Sequence, residues 1–287
     1  MFGFIILNGF PKMLQVIQIM SYWLLLLYFI AFGGYLYDFF AEKNFLYNAK
    51  RLFLFLTLLF HAGYLVERTI FLGHLPIVTQ FEIFSLLAFS IGFTYFLLEL
   101  LTDIRGTGVF ILVFSFIFQT QATLFIQDDY SANSLLQNYP LGTHVITAIL
   151  GFSAISISSA YALMYLLLYK NIKTNKFSTI FKRLPNLEIL ELLNFYAIII
   201  GFVLLTIAII IGFTWLPSAF PKFSYWDPKI IATMIVWLIY GVEIILKYRR
   251  NIIGKRFARF SLYGFLFSIL SLLLTSTILN SFHDFVN

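Results

Sequence analysis

Eight stretches of about 20 predominantly apolar residues follow one another along the chain, near 15–40, 52–70, 79–101, 107–126, 142–169, 188–214, 229–247 and 257–281. Coiled as an α-helix, each matches the hydrocarbon thickness of a bilayer. Inside lipid the backbone must satisfy its own N–H and C=O groups, which for runs this apolar means helices. Composition agrees: 61% of the 287 residues are hydrophobic and only 11% charged, whereas a soluble domain carries roughly 25% charged residues. An ordinary water-soluble enzyme is excluded, and so is a disordered chain. The expected fold is an all-α integral membrane protein of about eight transmembrane helices, forming a single polytopic domain over residues 1–287. The leading MFGFIILNGF is apolar but too short to span and lacks the basic region of a signal peptide, so it reads as an interfacial lead-in.

The net charge of +6 would suggest a nucleic-acid partner until the cations are placed between the spans. Fifteen basic residues then fall on one side, among them Lys43, Lys50, Arg51, Arg105, Lys170, Lys173, Lys247, Arg249, Arg250, Lys255, Arg256 and Arg259. The other side receives only Lys12, Arg68, Lys222 and Lys229. The positive-inside rule makes the first set cytoplasmic. With eight spans, both termini are then expected outside, and no nucleic-acid role is implied. The longest outer loops lie near 127–141 and 214–228, and neither reads as a soluble domain.

Chemistry-bearing residues are few. Cys is absent, which removes disulfides, Fe–S clusters and thiolate metal centres. There is no carboxylate pair, phosphate-binding loop, serine-nucleophile motif or HExxH, so hydrolysis and phosphoryl transfer are not supported. Of four histidines, His144 precedes the fifth span and His283 follows the eighth, which places both at the outer surface. Two neutral imidazoles at one depth suit heme iron from its two axial sides; equally, they could be two polar residues at an interface. His61 follows Arg51 by ten residues, about 15 Å of helix, and so falls near the bilayer midplane. An ionisable residue there is either functional or hydrogen-bonded to a neighbouring helix. His74, in GHLP, reads as part of an outer turn set by Pro76.

The segment TWLPSAFPKFSYWDPK is the other informative feature. Asp227 and Pro228 form a helix-start pair of N-cap and first helical residue. Trp215, Tyr225 and Trp226 belong to an aromatic belt or, functionally, to a surface on which a flat macrocycle stacks. Arg68, Lys222 and Lys229 would then meet its carboxylates. Glu82 and Glu243 are expected in structural pairs, with Arg68 or with the inner basic cluster. Glu188 and Glu191 sit where carboxylates favour a helix N-terminus. The run Ser153, Ala154, Ser156, Ser158, Ser159, Ala160 predicts close helix packing.

Five segments in order carry a family resemblance: RTIFLGHLPIVTQFEIFSLLAF, LGTHVITAILGFSAISISSAYALMYLL, LPNLEILELLNFYAIIIGFVLLTIAIIIG, YWDPKIIATMIVWLIY and SFHDF. Over residues 55–287 the chain resembles the cytochrome c assembly superfamily of heme-handling membrane proteins, which includes CcsA-type components of a cytochrome c heme lyase and HemX-like proteins. The resemblance implies heme b as cofactor, held at an outer site by His144 and His283 as axial ligands. Trp215, Tyr225, Trp226, Asp227, Pro228 and Lys229 would line it, with Arg68, His61 and His74 as further candidates. It also implies a CcsB-type membrane partner, an apocytochrome c substrate carrying CxxCH, and the cytoplasmic membrane of a bacterium. Two positions depart from the CcsA-type pattern: Ile230 follows WDPK where Glu is usual, and Ile245 stands where a histidine is common. These departures draw the chain toward the HemX-like branch. The expected function is holding and delivering heme at the outer face for c-type cytochrome biogenesis. Heme sensing in the HemX manner is the alternative, and a small-molecule or ion transporter using His61 and Glu243 a further one.

Overall fold

A computed structural model describes residues 2–41, 47–77, 79–104, 106–125, 139–175, 184–219, 224–250 and 252–277. The described residues form eight helices: α1 Phe2–Ala41, α2 Tyr47–Leu72, α3 Gln80–Thr102, α4 Gly108–Phe125, α5 Tyr139–Lys173, α6 Leu187–Ala219, α7 Pro228–Arg250 and α8 Lys255–Thr277. Seven of them, α1 to α7, are long and apolar enough to cross a membrane, and no strand occurs among the described residues. α8 is 23 residues long, with Lys255, Arg256 and Arg259 confined to its start and no charged residue after them. The protein is an all-helical integral membrane protein. MFGFIILNGF is not a separate lead-in, because α1 runs unbroken from Phe2 into the span Gln15–Phe40.

The chain divides into two compact units, Met1–Ile149 and Leu150–Asn287. In the first, α1 packs on α2 and α4, and α3 packs on α2 and α4, which closes a four-helix ring. Ile17, Leu24, Tyr28 and Tyr64 form a core cluster inside it. Lipid-facing residues such as Ile19, Trp23, Leu26 and Ile30 recur at helical spacing on the exposed side of α1. The glycine opening α4 admits an aromatic pair: a Cβ on Gly108 would collide with the Tyr35 ring and lie 2.7 Å from the Tyr95 hydroxyl. One end of this bundle is tied by charge. Arg51 Nε lies 3.0 Å from Glu99 Oε1, its Nη2 reaches Asp103, and Lys50 pairs with Asp38.

In the second unit α6 packs on α7 and α8, and α7 packs on α8. Its core holds Ile155, Ile198, Leu205, Val236, Tyr240 and Phe257. α5 and α6 approach at backbone distance where Gly151 and Gly201 face each other. A Cβ on Gly201 would stand 3.1 Å from the Gly151 carbonyl and 2.8 Å from Ile155 Cγ1. At one end of the unit Glu191 pairs with Lys247 and accepts the Gly254 N–H at 2.7 Å. Glu191 is therefore an ion-pair partner and not only a helix-start carboxylate, whereas Glu188 does sit in the first turn of α6.

Candidate functional site

α7 starts where the sequence places its start. Asp227 is the N-cap: its Oδ1 accepts the Lys229 N–H at 2.9 Å, and its carbonyl accepts the Ile231 N–H at 3.0 Å. Pro228 fills the first helical position, where a missing N–H costs nothing. The residues just before it turn tightly, with the Asp227 N–H on the Ser224 carbonyl and the Trp226 N–H on Ser224 Oγ. That turn throws two aromatics outward: Trp226 is 83% exposed and Tyr225 57%. Tyr225 stacks on Phe213 near the end of α6, with ring centroids 5.8 Å apart and planes 17° from parallel. Trp215 and Lys229 are half-buried. The second unit thus presents an aromatic shelf on a capped helix start. Lys222 lies outside the described residues.

The first unit carries the remaining candidates. α2 ends on Gly73, whose φ of +74° suits only a residue without a side chain. The turn that follows buries His74, whose Nδ1 lies 2.9 Å from the Leu75 carbonyl and so donates to it. The turn is seated on the start of α5, where a Cβ on Gly142 would run into the Leu75 side chain. His144 is half-buried two residues further along that helix. The sequence did not foresee this juncture of the GHLP turn with the α5 start; its only sign is the small Gly142 beside His144. His283 lies outside the described residues.

Arg68 is buried, with its Nε 3.0 Å from Glu82 Oε1. Glu82 also closes the capping box of α3, since Thr79 Oγ1 accepts the Glu82 N–H and Glu82 Oε2 accepts the Thr79 N–H, both at 3.2 Å. The expected Arg68–Glu82 pair is therefore real, and it commits Arg68 to helix geometry.

His61 is fully buried, with Nδ1 2.9 Å from the Tyr28 hydroxyl and Nε2 3.0 Å from Ser85 Oγ. The Ser85 hydroxyl gives its single proton to Gln119 Oε1 at 3.2 Å. Nε2–H therefore donates to Ser85, and Nδ1 accepts from Tyr28. The chain runs on from Gln119 Nε2 to Thr123 Oγ1 at 3.1 Å, and Thr123 also accepts from Ser21 Oγ at 3.0 Å. Four helices are laced together, and both imidazole nitrogens are engaged.

Glu243 departs from expectation. Lys247, the cation one turn away on its own helix, pairs with Glu191 instead. Glu243 is buried in hydrogen-bond contact with Ser261, within a group that also includes Asn194 and Ser158. Sequence reading missed this group because serine and asparagine in a span look like packing residues until helix rotation is known. Among the described residues no three His, Asp or Glu side chains gather around a metal position.

The architecture is that of a polytopic helical membrane protein with an aromatic shelf at one helix start and a histidine near another. The chain belongs to the cytochrome c assembly protein family, whose model matches residues 15–283. It is 25% identical over 228 residues to the protein HemX of Brevibacillus brevis, covering 77% of this chain and 81% of that one. It is 28% identical over 212 residues to the cytochrome c biogenesis protein CcsA of Guillardia theta, covering 67% and 70%. To the CcsA protein of Prochlorococcus marinus it is 26% identical over 253 residues, covering 77% and 80%.

Proposed function

We propose that this protein acts in c-type cytochrome biogenesis by holding heme b at the outer membrane face and presenting it to an apocytochrome c. Family membership over nearly the whole chain is the observation that carries the reading. The residues present fit a flat, largely apolar macrocycle. Trp226 and Tyr225 offer exposed ring faces, and the stack on Phe213 holds one of those rings in a fixed plane. His144 and His283 would supply imidazole nitrogen to the iron, and Lys229 a cation to a carboxylate. Trp215 and the Asp227–Pro228 helix start would keep the shelf rigid. When bound, heme supplies the vinyl groups that react with the cysteines of a CxxCH segment; the chain itself binds, orients and excludes water. A CcsB-type membrane partner would receive the apocytochrome, because the described residues contain no soluble domain for it. The membrane would be the cytoplasmic membrane of a bacterium.

A HemX-like accessory role in heme metabolism is the second reading. It is favoured by Ile245, an exposed apolar residue at the α7 position where CcsA-type chains commonly carry histidine. Oxidised and reduced absorption spectra of the detergent-purified protein, beside a His144→Ala/His283→Ala variant, test the heme site. The expected result is a low-spin bis-imidazole spectrum in the parent that the variant loses. No heme in either protein, even after hemin is added, overturns the proposal. Delivery then predicts loss of c-type cytochromes in cells carrying the variant; a regulatory role predicts altered levels of heme-synthesis enzymes with cytochromes retained.

A further inference from the structure

Four helices of the second unit meet at one buried polar group. Ser158 Oγ on α5 donates to Asn194 Oδ1 on α6 at 2.7 Å, and Asn194 Nδ2 donates to Ser261 Oγ on α8 at 2.9 Å. Ser261 Oγ in turn lies in hydrogen-bond contact with Glu243 Oε1 on α7, and 3.2 Å from the Phe257 carbonyl. Glu243 is 1% exposed, and its Oε2 has no hydrogen-bond partner. The Tyr240 hydroxyl, one turn back on α7, is likewise buried without one.

An ionised carboxylate in such a place needs a counter-cation, because half its charge would sit on an oxygen that nothing stabilises. Among the described residues no cation pairs with it. Lys247 is held by Glu191 and lies over the Phe257 ring, Lys255 lies over Tyr169, and Arg256 and Arg259 are exposed. Tyr240 on α7 and Tyr165 on α5 are buried phenols, which carry no positive charge, and Glu191 is itself an acid. A proton on Glu243 resolves the hydrogen-bond count. The carboxyl O–H then donates to Ser261 Oγ, which also accepts from Asn194 and passes its own proton to the Phe257 carbonyl. Both serine lone pairs and its one hydrogen are used, and Oε2 becomes a neutral carbonyl oxygen.

We propose that Glu243, with Ser261, Asn194 and Ser158, forms a membrane-embedded proton-binding site, in which the carboxyl carries a proton and Ser261 reverses its hydrogen bond when that proton leaves. The site is separate from the aromatic shelf and does not depend on the heme reading. Infrared spectra of the detergent-purified full chain in H2O and D2O test it without any bound heme. The expected result is a carboxylic-acid C=O band, shifted by deuteration, that Glu243→Gln abolishes and Ser261→Ala moves to higher frequency while retaining it. Ser261→Ala keeps the carboxyl and carries the test alone if Glu243→Gln does not fold. Parent and Glu243→Gln spectra identical in that region overturn the proposal. A band that vanishes when Na+ replaces K+ also overturns it, since the occupant would then be a metal cation.

Discussion

His61 sits in the membrane span of α2 with a hydroxyl on each ring nitrogen, which sets the expectation for its replacement. An iron ligand needs a free nitrogen lone pair, whereas here one nitrogen donates and the other accepts within the bundle. Replacing His61 with Ala leaves the Tyr28 and Ser85 hydroxyls unmatched in an apolar interior. The expected loss of stability is about 3 kcal/mol, read by thermal unfolding in detergent, with the heme-to-protein ratio unchanged. Heme lost while stability is retained would assign His61 to the iron. Arg68 follows the same logic with charge in place of hydroxyls. Arg68→Met strands the buried Glu82 carboxylate and is expected to cost about 3–5 kcal/mol. Arg68→Met/Glu82→Gln should recover most of it, because glutamine still closes the capping box on Thr79. A double variant no more stable than the single one would mean that Arg68 acts through a contact other than Glu82.

Helix contacts divide into those that side-chain movement relieves and those that backbone fixes. Gly142 faces the flexible Leu75 side chain, but Gly201 faces the Gly151 carbonyl and the Ile155 N–H as well as a side chain. Gly201→Ala is therefore expected to push α6 off α5 at a cost of about 1–3 kcal/mol, and to weaken the Ser158–Asn194 bond farther along the same pair. Thermal unfolding of Gly201→Ala beside Gly142→Ala/Leu75→Ala checks this; the double variant should lie closer to the parent. The existence of all eight helices was legible in the sequence, because membrane length and continuous apolarity leave little else to form; the start of α1 at Phe2 was not. The Asp227–Pro228 cap and the Arg68–Glu82 pair were legible too, but the capping box that Glu82 closes on Thr79 was not. Rotation about each helix axis was not. In a span that is apolar all round, no amphipathic stripe says which face turns inward, so the partners of His61, Glu191 and Glu243 emerged only with the packing. The seat of the GHLP turn on Gly142 was hidden for a related reason, since it joins residues about 70 positions apart through one missing side chain. The aromatics of the proposed heme site were readable as residue types, but the Tyr225–Phe213 stack was not.

Orientation belongs to the whole molecule, and the packing sharpens the argument for it. In the second unit the ends of α5 and α7 and the starts of α6 and α8 share one side, tied by Glu191, Lys247 and Gly254 and by Lys255 over Tyr169. That side exposes Lys170, Lys173, Arg249, Arg250, Arg256 and Arg259. The opposite ends hold the aromatic shelf, with Asp227 buried as a cap and Lys229 half-buried. Acidic residues count little in the positive-inside rule, so the Glu191–Lys247 pair does not cancel the bias. Exposed cations near the span ends are what the rule weighs, and here they are almost wholly on one side. A fluorescent reporter that matures only in the cytoplasm is therefore expected to be bright when fused after Asn175 and dark when fused after Asn287. A phosphatase active only after export should give the reverse pattern. The opposite result would turn Tyr225 and Trp226 toward the cytoplasm. An apocytochrome outside the membrane would then have no access to the shelf, and the proposed delivery of heme at the outer face would fail on topology alone.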